Sequence, residues 1–309
     1  MSKFLSAIVT KDLSVLCDPE NTNSHRDLII LHNFTDPNTY VCVEFTPPKK
    51  FKSMKDPTQW ILSLPEVTKP EWYDETVVRN KLENIVSGMF VSKNKNILVG
   101  GCHILTDGVV VDRAVNAYIY AMLKESRINT LTGASFVGLM DTRTFIDRMF
   151  ANSSVNSACF DASIGEMNGL SSVKRMYNTS SVNTMLDESR VESLDGASTV
   201  GTLKNLARVD VMSDNSSISN MYNESSVGSM WERSSVGALH DESVVDSMQA
   251  DSTVFSMYNH TCVQKMSGKA HVRIMHNNAV VRTIERKSTV GEIYDDARIL
   301  VDTRKELGG

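Results

Sequence analysis

The chain has 309 residues, a formal net charge of −5 and 41% hydrophobic residues, enough apolar material for a large core. It lacks the basic excess of a nucleic-acid surface, and its charge is uneven: residues 151–260 hold 6 Lys/Arg against 14 Asp/Glu, residues 261–309 hold 9 against 6. No long apolar run suggests a secretory leader or membrane span, and Cys17, Cys42, Cys102, Cys159 and Cys262 show no CxxC spacing, so a reduced, cytoplasmic setting is expected.

Residues 1–95 carry all seven prolines, the run Thr46-Pro47-Pro48 among them, and two of the three tryptophans. Strands are expected near Phe4–Val9, Asp27–His32 and Tyr40–Phe45, and a helical turn over Pro57–Leu62. A longer helix is expected from about Pro70 to Met89, with Trp72, Val78, Leu82, Ile85 and Met89 on its apolar side. This is a small α+β leader. Asn96–Leu105 and Val109–Val111 are β-rich and fit irregular first coils of a downstream repeat.

From Ile119 onward, every ninth residue through Ile299 is Val or Ile, 21 in all with no insertion. Two residues before each stands Ser, Thr or Ala. Three residues after each stands Met, Leu or Ile, except at Ala158 and Asp302, and thirteen of the sixteen methionines occupy this slot. We number the aliphatic residue 0, the small one −2 and the Met +3. A fixed period of this length marks a solenoid. Positions −2 and 0 share one face of an extended strand, and bringing +3 inside as well needs a bend between them. Position +5 is Asn, Asp or Gly in 13 of the 21 repeats, which suits a left-handed corner. An interior Ser needs a partner, either a corner backbone group or the next Ser along the column.

Helical packing does not suit this period, and the Gly-Gly-x-Gly-x-Asp turns of a calcium-binding roll are missing. Tyr222, His240, Tyr258, His276 and Tyr294 recur at +4 every 18 residues, which favours two nonapeptides per coil over three. The expectation is a mainly β protein: an α+β leader over residues 1–95, a parallel β-solenoid over 96–303 and a polar tail, 304–309. A solenoid exposes strand edges at its end, so the leader is expected to cap it, with a separate recognition domain as the alternative.

The sequence gives little sign of catalysis. It holds no GxSxG, P-loop or GxGxxG before a helix, and Cys102-His103 is an isolated pair without a second at ligand spacing. Carbohydrate-active β-helices build clefts from long loops, and these repeats have none, so His103 and Asp107 near the junction are the remaining place for chemistry. No catalytic residue, cofactor or metal is expected. What remains is surface, and the candidate binding residues are Phe150, Tyr177, Tyr222, Trp231, His240, Tyr258, His276 and Tyr294, read as one edge stripe for a protein, glycan or stacked bases. The competing reading is that these rings only shield corner backbone.

The run from Ser225 to Met257, together with Asp56-Pro57-Thr58-Gln59-Trp60, resembles repeat proteins of bacteriophages and gut bacteria built on Ser-Ser-Val-x-x-Met nonapeptides. More distantly, the architecture resembles pentapeptide-repeat proteins, although their five-residue motif is absent. The resemblance implies a β-solenoid of viral or mobile-element origin, acting in the host cytoplasm. The expected function is non-enzymatic: a rigid scaffold binding a macromolecular partner, chiefly a protein, with nucleic acid involved only through mimicry, no membrane, and homo-oligomers allowed. The alternative is a spike or fibre segment of a virion; a carbohydrate-active enzyme ranks below both.

Overall fold

The computed structural model of the protein describes residues 5–22, 24–48, 54–65, 69–285 and 287–303. Phe4 and the expected tail 304–309 lie outside them. The chain divides into an N-terminal unit, residues 1–92 with 100–106, and a repeat unit, residues 93–99 with 107–309.

The N-terminal unit holds an antiparallel sheet in the order β2 (Val15–Leu16), β1 (Leu5–Thr10), β3 (Tyr40–Thr46), β4 (Ile61–Ser63). Two helices accompany it, α1 (His25–Leu31) and α2 (Glu75–Met89). The segment expected as a strand over Asp27–His32 is instead α1. Ser24 caps it by accepting from Asp27 N at 3.3 Å, and Asp27 in the first turn suits the positive helix end. The Pro57 turn is a short 3-10 segment, Pro57–Gln59, and the chain then extends as β4. The long helix begins at Glu75, later than expected, because Asp74 accepts from Thr76 N and Val77 N as its cap. It buries Val78, Leu82, Val86 and Met89. Trp60 is buried against Phe45 with ring centroids 5.4 Å apart, and its Nε1 donates to Met54 O at 3.0 Å. In the same unit Phe90–Val91 pairs in parallel with Cys102–Leu105.

The repeat unit is a parallel β-solenoid of two nonapeptides per coil. Each nonapeptide forms one strand from −1 to +3, such as Ser217–Met221, followed by a corner; Arg127–Thr132 runs one residue further. Alternate strands join alternate sheets. The first sheet has twelve strands, from Lys95–Val99 through Arg127–Thr132 to Thr289–Ile293. The second takes the intervening strands, from Tyr118–Met122 to Arg298–Asp302. The first rungs are irregular, Lys95 pairing with Val111 and Val110 with Arg127, and later partners lie 18 residues apart: Val200 pairs with Ile218, Ile218 with Val236 and Val236 with Val254. Coil spacing is therefore one inter-strand distance, about 4.8 Å.

The two interior columns explain the sequence bias. Position 0 from Ile119 to Val281 is at most 1% exposed, and the methionines at +3 are all at 0%. No single coil can bury its own apolar stripe, so each depends on the coils on either side. Met fits because its flexible thioether fills space between stacked rungs without a fixed shape.

Corners close through a bond from the −2 amide to the +4 carbonyl, as from Ser225 N to Tyr222 O at 3.3 Å. Position +5 then adopts positive φ, 57° at Asn223 and 60° at Asp241, and also at Ala151, Phe160, Glu232 and Ala250, which do not favour it. Two early corners shift by one residue: Glu125 (φ 62°) and Arg143 (φ 56°) take the left-handed place instead of Lys124 and Thr142.

The expectation for the interior hydroxyls holds only in part. Ser135, Thr144 and Ser198 donate to the carbonyls of Thr132, Asp141 and Asp195 at 2.7, 2.7 and 2.6 Å. Most of the others, Ser216, Ser225, Ser234, Ser243 and Ser252 among them, are fully buried with no hydrogen-bond partner among the described residues. No Ser-to-Ser ladder forms there. A slot sized for Ser or Ala, tight under the bend, accounts for their presence better than hydrogen bonding does.

Candidate functional site

The corners leading from the first sheet to the second gather the densest outward chemistry. Position +4 is fixed by a bond from its own amide to the +3 carbonyl of the preceding coil: Tyr222 N to Leu203 O at 2.9 Å, His240 N to Met221 O at 2.9 Å, Tyr258 N to Leu239 O at 3.0 Å. His276 and Tyr294 repeat it on Met257 and Met275, each at 2.9 Å. With the backbone pinned at every coil, the side chains must stack.

They form a continuous ladder. Ring centroids lie 4.7 Å apart for Tyr222–His240, 5.1 Å for His240–Tyr258, 5.2 Å for Tyr258–His276 and 4.9 Å for His276–Tyr294, with planes within 8° of parallel. Lys204 Nζ lies over the Tyr222 ring at 5.7 Å, a cation–π contact. Tyr294 is 46% exposed, and its hydroxyl donates to Glu292 Oε2 at 2.6 Å; that carboxylate pushes the phenol pKa up. His240 and His276, expected as outward stacking residues, do stack.

Beside the rings, position +5 runs Asp187, Asn205, Asn223, Asp241, Asn259, Asn277, Asp295. Asp241 accepts from Asn223 N at 3.1 Å on one side and from Asn259 Nδ2 at 3.4 Å on the other. Asn277 Nδ2 donates to Asn259 Oδ1 at 3.0 Å, and Asn277 N donates to Asp295 Oδ2 at 3.1 Å. These bonds tie coil to coil at the corner. Position +6 adds Glu224, Glu242, His260, Asn278 and Asp296, all exposed. From Tyr222 to Tyr294, positions +4 to +6 of this edge hold five carboxylates (Glu224, Asp241, Glu242, Asp295, Asp296) and no Lys or Arg.

The single stripe expected from the sequence divides. Nine-residue steps alternate between two edges, so Tyr177 and Trp231 lie on the corners that return from the second sheet to the first. Cys159 precedes Tyr177 in that column and hydrogen-bonds its side chain, while Trp231, 43% exposed, has Ser213 and Gln249 as column neighbours. Phe150 shares the edge of the ladder but is separated from Tyr222 by Asn168, Leu186 and Lys204 in the same column, and Arg148 lies over its ring at 5.8 Å. Sequence reasoning passed over the Asn/Asp ladder as corner chemistry alone. Its Asp-Asn-Asn rhythm at 18-residue steps was the signal that could have found it.

Stacking also changes what the rings can do. Each inner ring has both faces covered by neighbours, so it presents an edge with its hydroxyl or ring nitrogen. A sugar or base has no free face to stack on there, except beyond Tyr294.

Other surfaces are explained by the backbone. A shallow groove on the first sheet is lined by Phe145, Asp147, Ser163, Gly165, Ser181, Asn183, Thr199 and Gly201, among others. A Cβ at Gly165 would stand 2.5 Å from Asp147 O, and one at Gly201 2.4 Å from Asn183 O, so close coil contact demands these glycines. On the second sheet, Arg190 Nη2 pairs with Asp210 at 2.5 Å, and Arg208 bridges Asp210 at 2.9 Å and Asp246 at 3.4 Å.

Among the described residues, no group of three His, Cys, Asp or Glu converges as a metal site. Burial pushes the thiols of Cys17 and Cys159 up to about 11 and that of Cys102 up to about 12, which keeps them protonated and weakly nucleophilic at neutral pH. The His103 ring is held by Gly100 O, 2.9 Å from Nε2. No family model, curated protein or solved structure matches this chain.

Proposed function

We propose that the protein is a non-enzymatic scaffold whose ring edge, Tyr222 to Tyr294, binds a macromolecular partner, a protein carrying Lys or Arg at its contact surface. The observation that carries this reading is the juxtaposition of five stacked rings with five carboxylates and no cation at the same positions. Rigid aromatic edges supply contact area at little entropic cost, and Tyr is enriched in protein interfaces. The acidic flank steers a cationic partner and repels nucleic acid. The covered ring faces weigh against a glycan. The resemblance to phage and gut-bacterial repeat proteins supports a host protein as the partner.

The test is capture from bacterial lysate with the parent and two variants. A partner bound through this edge is retained by Trp231→Ala, on the opposite corner, and lost by the combined Tyr222→Ala, Tyr258→Ala variant. Its affinity falls as salt rises, because exposed charges are screened beyond about 8 Å at physiological ionic strength. Equal loss from both variants, or capture indifferent to either, removes the edge from the account.

A further inference from the structure

The two sheets of the solenoid share one repeat but not one surface. Across five successive strands of the first sheet, Ser181–Met185 to Thr253–Met257, the outward positions −1, +1 and +2 hold no Lys, Arg, Asp or Glu. The five second-sheet strands that alternate with them hold six at the same positions: Arg190, Glu192, Arg208, Asp210, Asp246 and Lys265. Close coil contact accounts for the glycines of the first sheet, but the repeat does not require its lack of charge. A surface depleted of charge at its centre is what the core of a protein interface looks like.

One large side chain stands on this face. Phe255 is 44% exposed, in a column whose preceding rungs are Gly237, Ser219 and Gly201. Gly165 stands in the same column 90 residues, or five coils of 18, earlier, and the groove there, about 470 Å³, has room for an aromatic ring. Asp147 lies one coil beyond Gly165, and Arg273 one coil beyond Phe255. These two are 126 residues, or seven coils, apart and share the midpoint of the first pair, between Gly201 and Ser219. Among the described residues neither forms an ion pair within its own chain.

We propose that this face joins the same face of a second copy of the chain, the solenoid axes antiparallel, about a two-fold axis running along the strands between Gly201 and Ser219. Each column then faces its own copy. Phe255 enters the groove at the partner subunit's Gly165, Arg273 meets the partner subunit's Asp147, and symmetry makes each contact twice. Sheets that pack face to face keep their strands nearly aligned about 10 Å apart, which this axis preserves and small side chains allow. The other charges of the face, Arg127, Arg148, Glu166 and Glu292, fall opposite uncharged residues. Parallel solenoid axes would instead set Asp147 beside its own copy and leave the groove empty. From Asp147 to Arg273 the face spans about 38 Å by about 13 Å, so two copies bury about 1,000 Å², enough for a specific interface.

The experiment is sedimentation of the full chain over a concentration series, with circular dichroism as the folding control. The parent is expected to dimerise reversibly. Phe255→Ala empties the groove and raises the dimer dissociation constant roughly tenfold or more. Arg273→Asp weakens the dimer by setting like charges opposite, and the exchange Asp147→Arg, Arg273→Asp restores it, because each pair is then inverted, not lost. Ser219→Lys, beside the axis at a position where the second sheet carries Lys174, leaves the circular dichroism unchanged and gives a monomer. A parent that stays monomeric overturns the proposal. So does a dimer indifferent to Phe255→Ala or Ser219→Lys, or a charge exchange that fails to restore association. These variants leave the rings from Tyr222 to Tyr294 in place, so the outcome is separate from capture by the ring edge.

Discussion

Tyr258 and His276 lie face to face, with ring centroids 5.2 Å apart and planes 1° from parallel, although 18 residues separate them in sequence. The relationship follows from the backbone: each ring hangs from an amide bonded to the preceding coil, so ring spacing copies coil spacing. Tyr258 also stacks on His240, which makes it the centre of the ladder. Replacing it with Ala removes two ring contacts at about 0.5–1.5 kcal/mol each, a loss of about 1–3 kcal/mol beyond burial. Tyr258→Phe keeps both stacks and stays close to the parent. Urea denaturation midpoints measure the difference, and equal midpoints for Tyr258→Ala and the parent would show that the ladder adds no stability.

Met221 tests the interior column. It is fully buried between Leu203 and Leu239 on adjacent coils. Met221→Leu puts a residue there that its two neighbours already use, and costs less than about 1.5 kcal/mol. Met221→Asp buries an unpaired carboxylate, which costs more than about 4 kcal/mol and disrupts the coils on either side. Thermal unfolding followed by circular dichroism separates the two variants. A Met221→Asp chain melting with the parent would mean that the column is not dry.

The solenoid was legible because its signal is redundant: 21 aliphatic slots in phase specify strand, bend and coil at once. The 18-residue coil was legible from the rings at +4. Local features written once were harder. The helix α1 depends on Ser24 and Asp27, whose capping signal was outweighed by the apolar run Leu28-Ile29-Ile30-Leu31. The left-handed corners at Ala151, Phe160, Glu232 and Ala250 carry no residue signal, since the stack imposes a conformation those side chains do not prefer. The candidate stripe failed at Tyr177 and Trp231 for a geometric reason: a nine-residue step changes edge, and only an 18-residue step stays on one.

Acid stability reports on the N-terminal unit. Asp12 accepts from the hydroxyls of Thr10 and Ser14 and from Ser14 N at 3.2 Å, and these bonds, Thr10 foremost, hold its carboxyl down at about 2, against an ordinary 3.8. A folded-state value below the unfolded one means that the charged form stabilises the fold. The contribution is complete above the ordinary value and disappears as pH falls through about 2. Asp12→Asn removes the titrating group, so the variant loses less stability than the parent between about pH 4 and pH 2. Denaturation midpoints across that window check it, and parallel curves would show that the hydroxyl bonds do not form in solution.

The buried serines separate size from hydrogen bonding. The Ser234 hydroxyl is fully buried with no hydrogen-bond partner among the described residues, while Ala207 and Ala270 fill the same kind of slot at 0% exposure. Ser234→Ala therefore removes a desolvated hydroxyl without opening much space, and is expected to be neutral or to stabilise by up to about 2 kcal/mol. Ser198 differs, because its hydroxyl donates to Asp195 O at 2.6 Å. Ser198→Ala gives up that bond and leaves the carbonyl with the weaker donor Ser198 N at 3.3 Å, a loss of about 0.5–1.5 kcal/mol. The two substitutions delete the same atom from equivalent slots, so their difference isolates the hydrogen bond from the packing. If Ser234→Ala destabilised as much as Ser198→Ala, the Ser234 hydroxyl would have a partner in solution, and the slot would be selected for bonding and not for size.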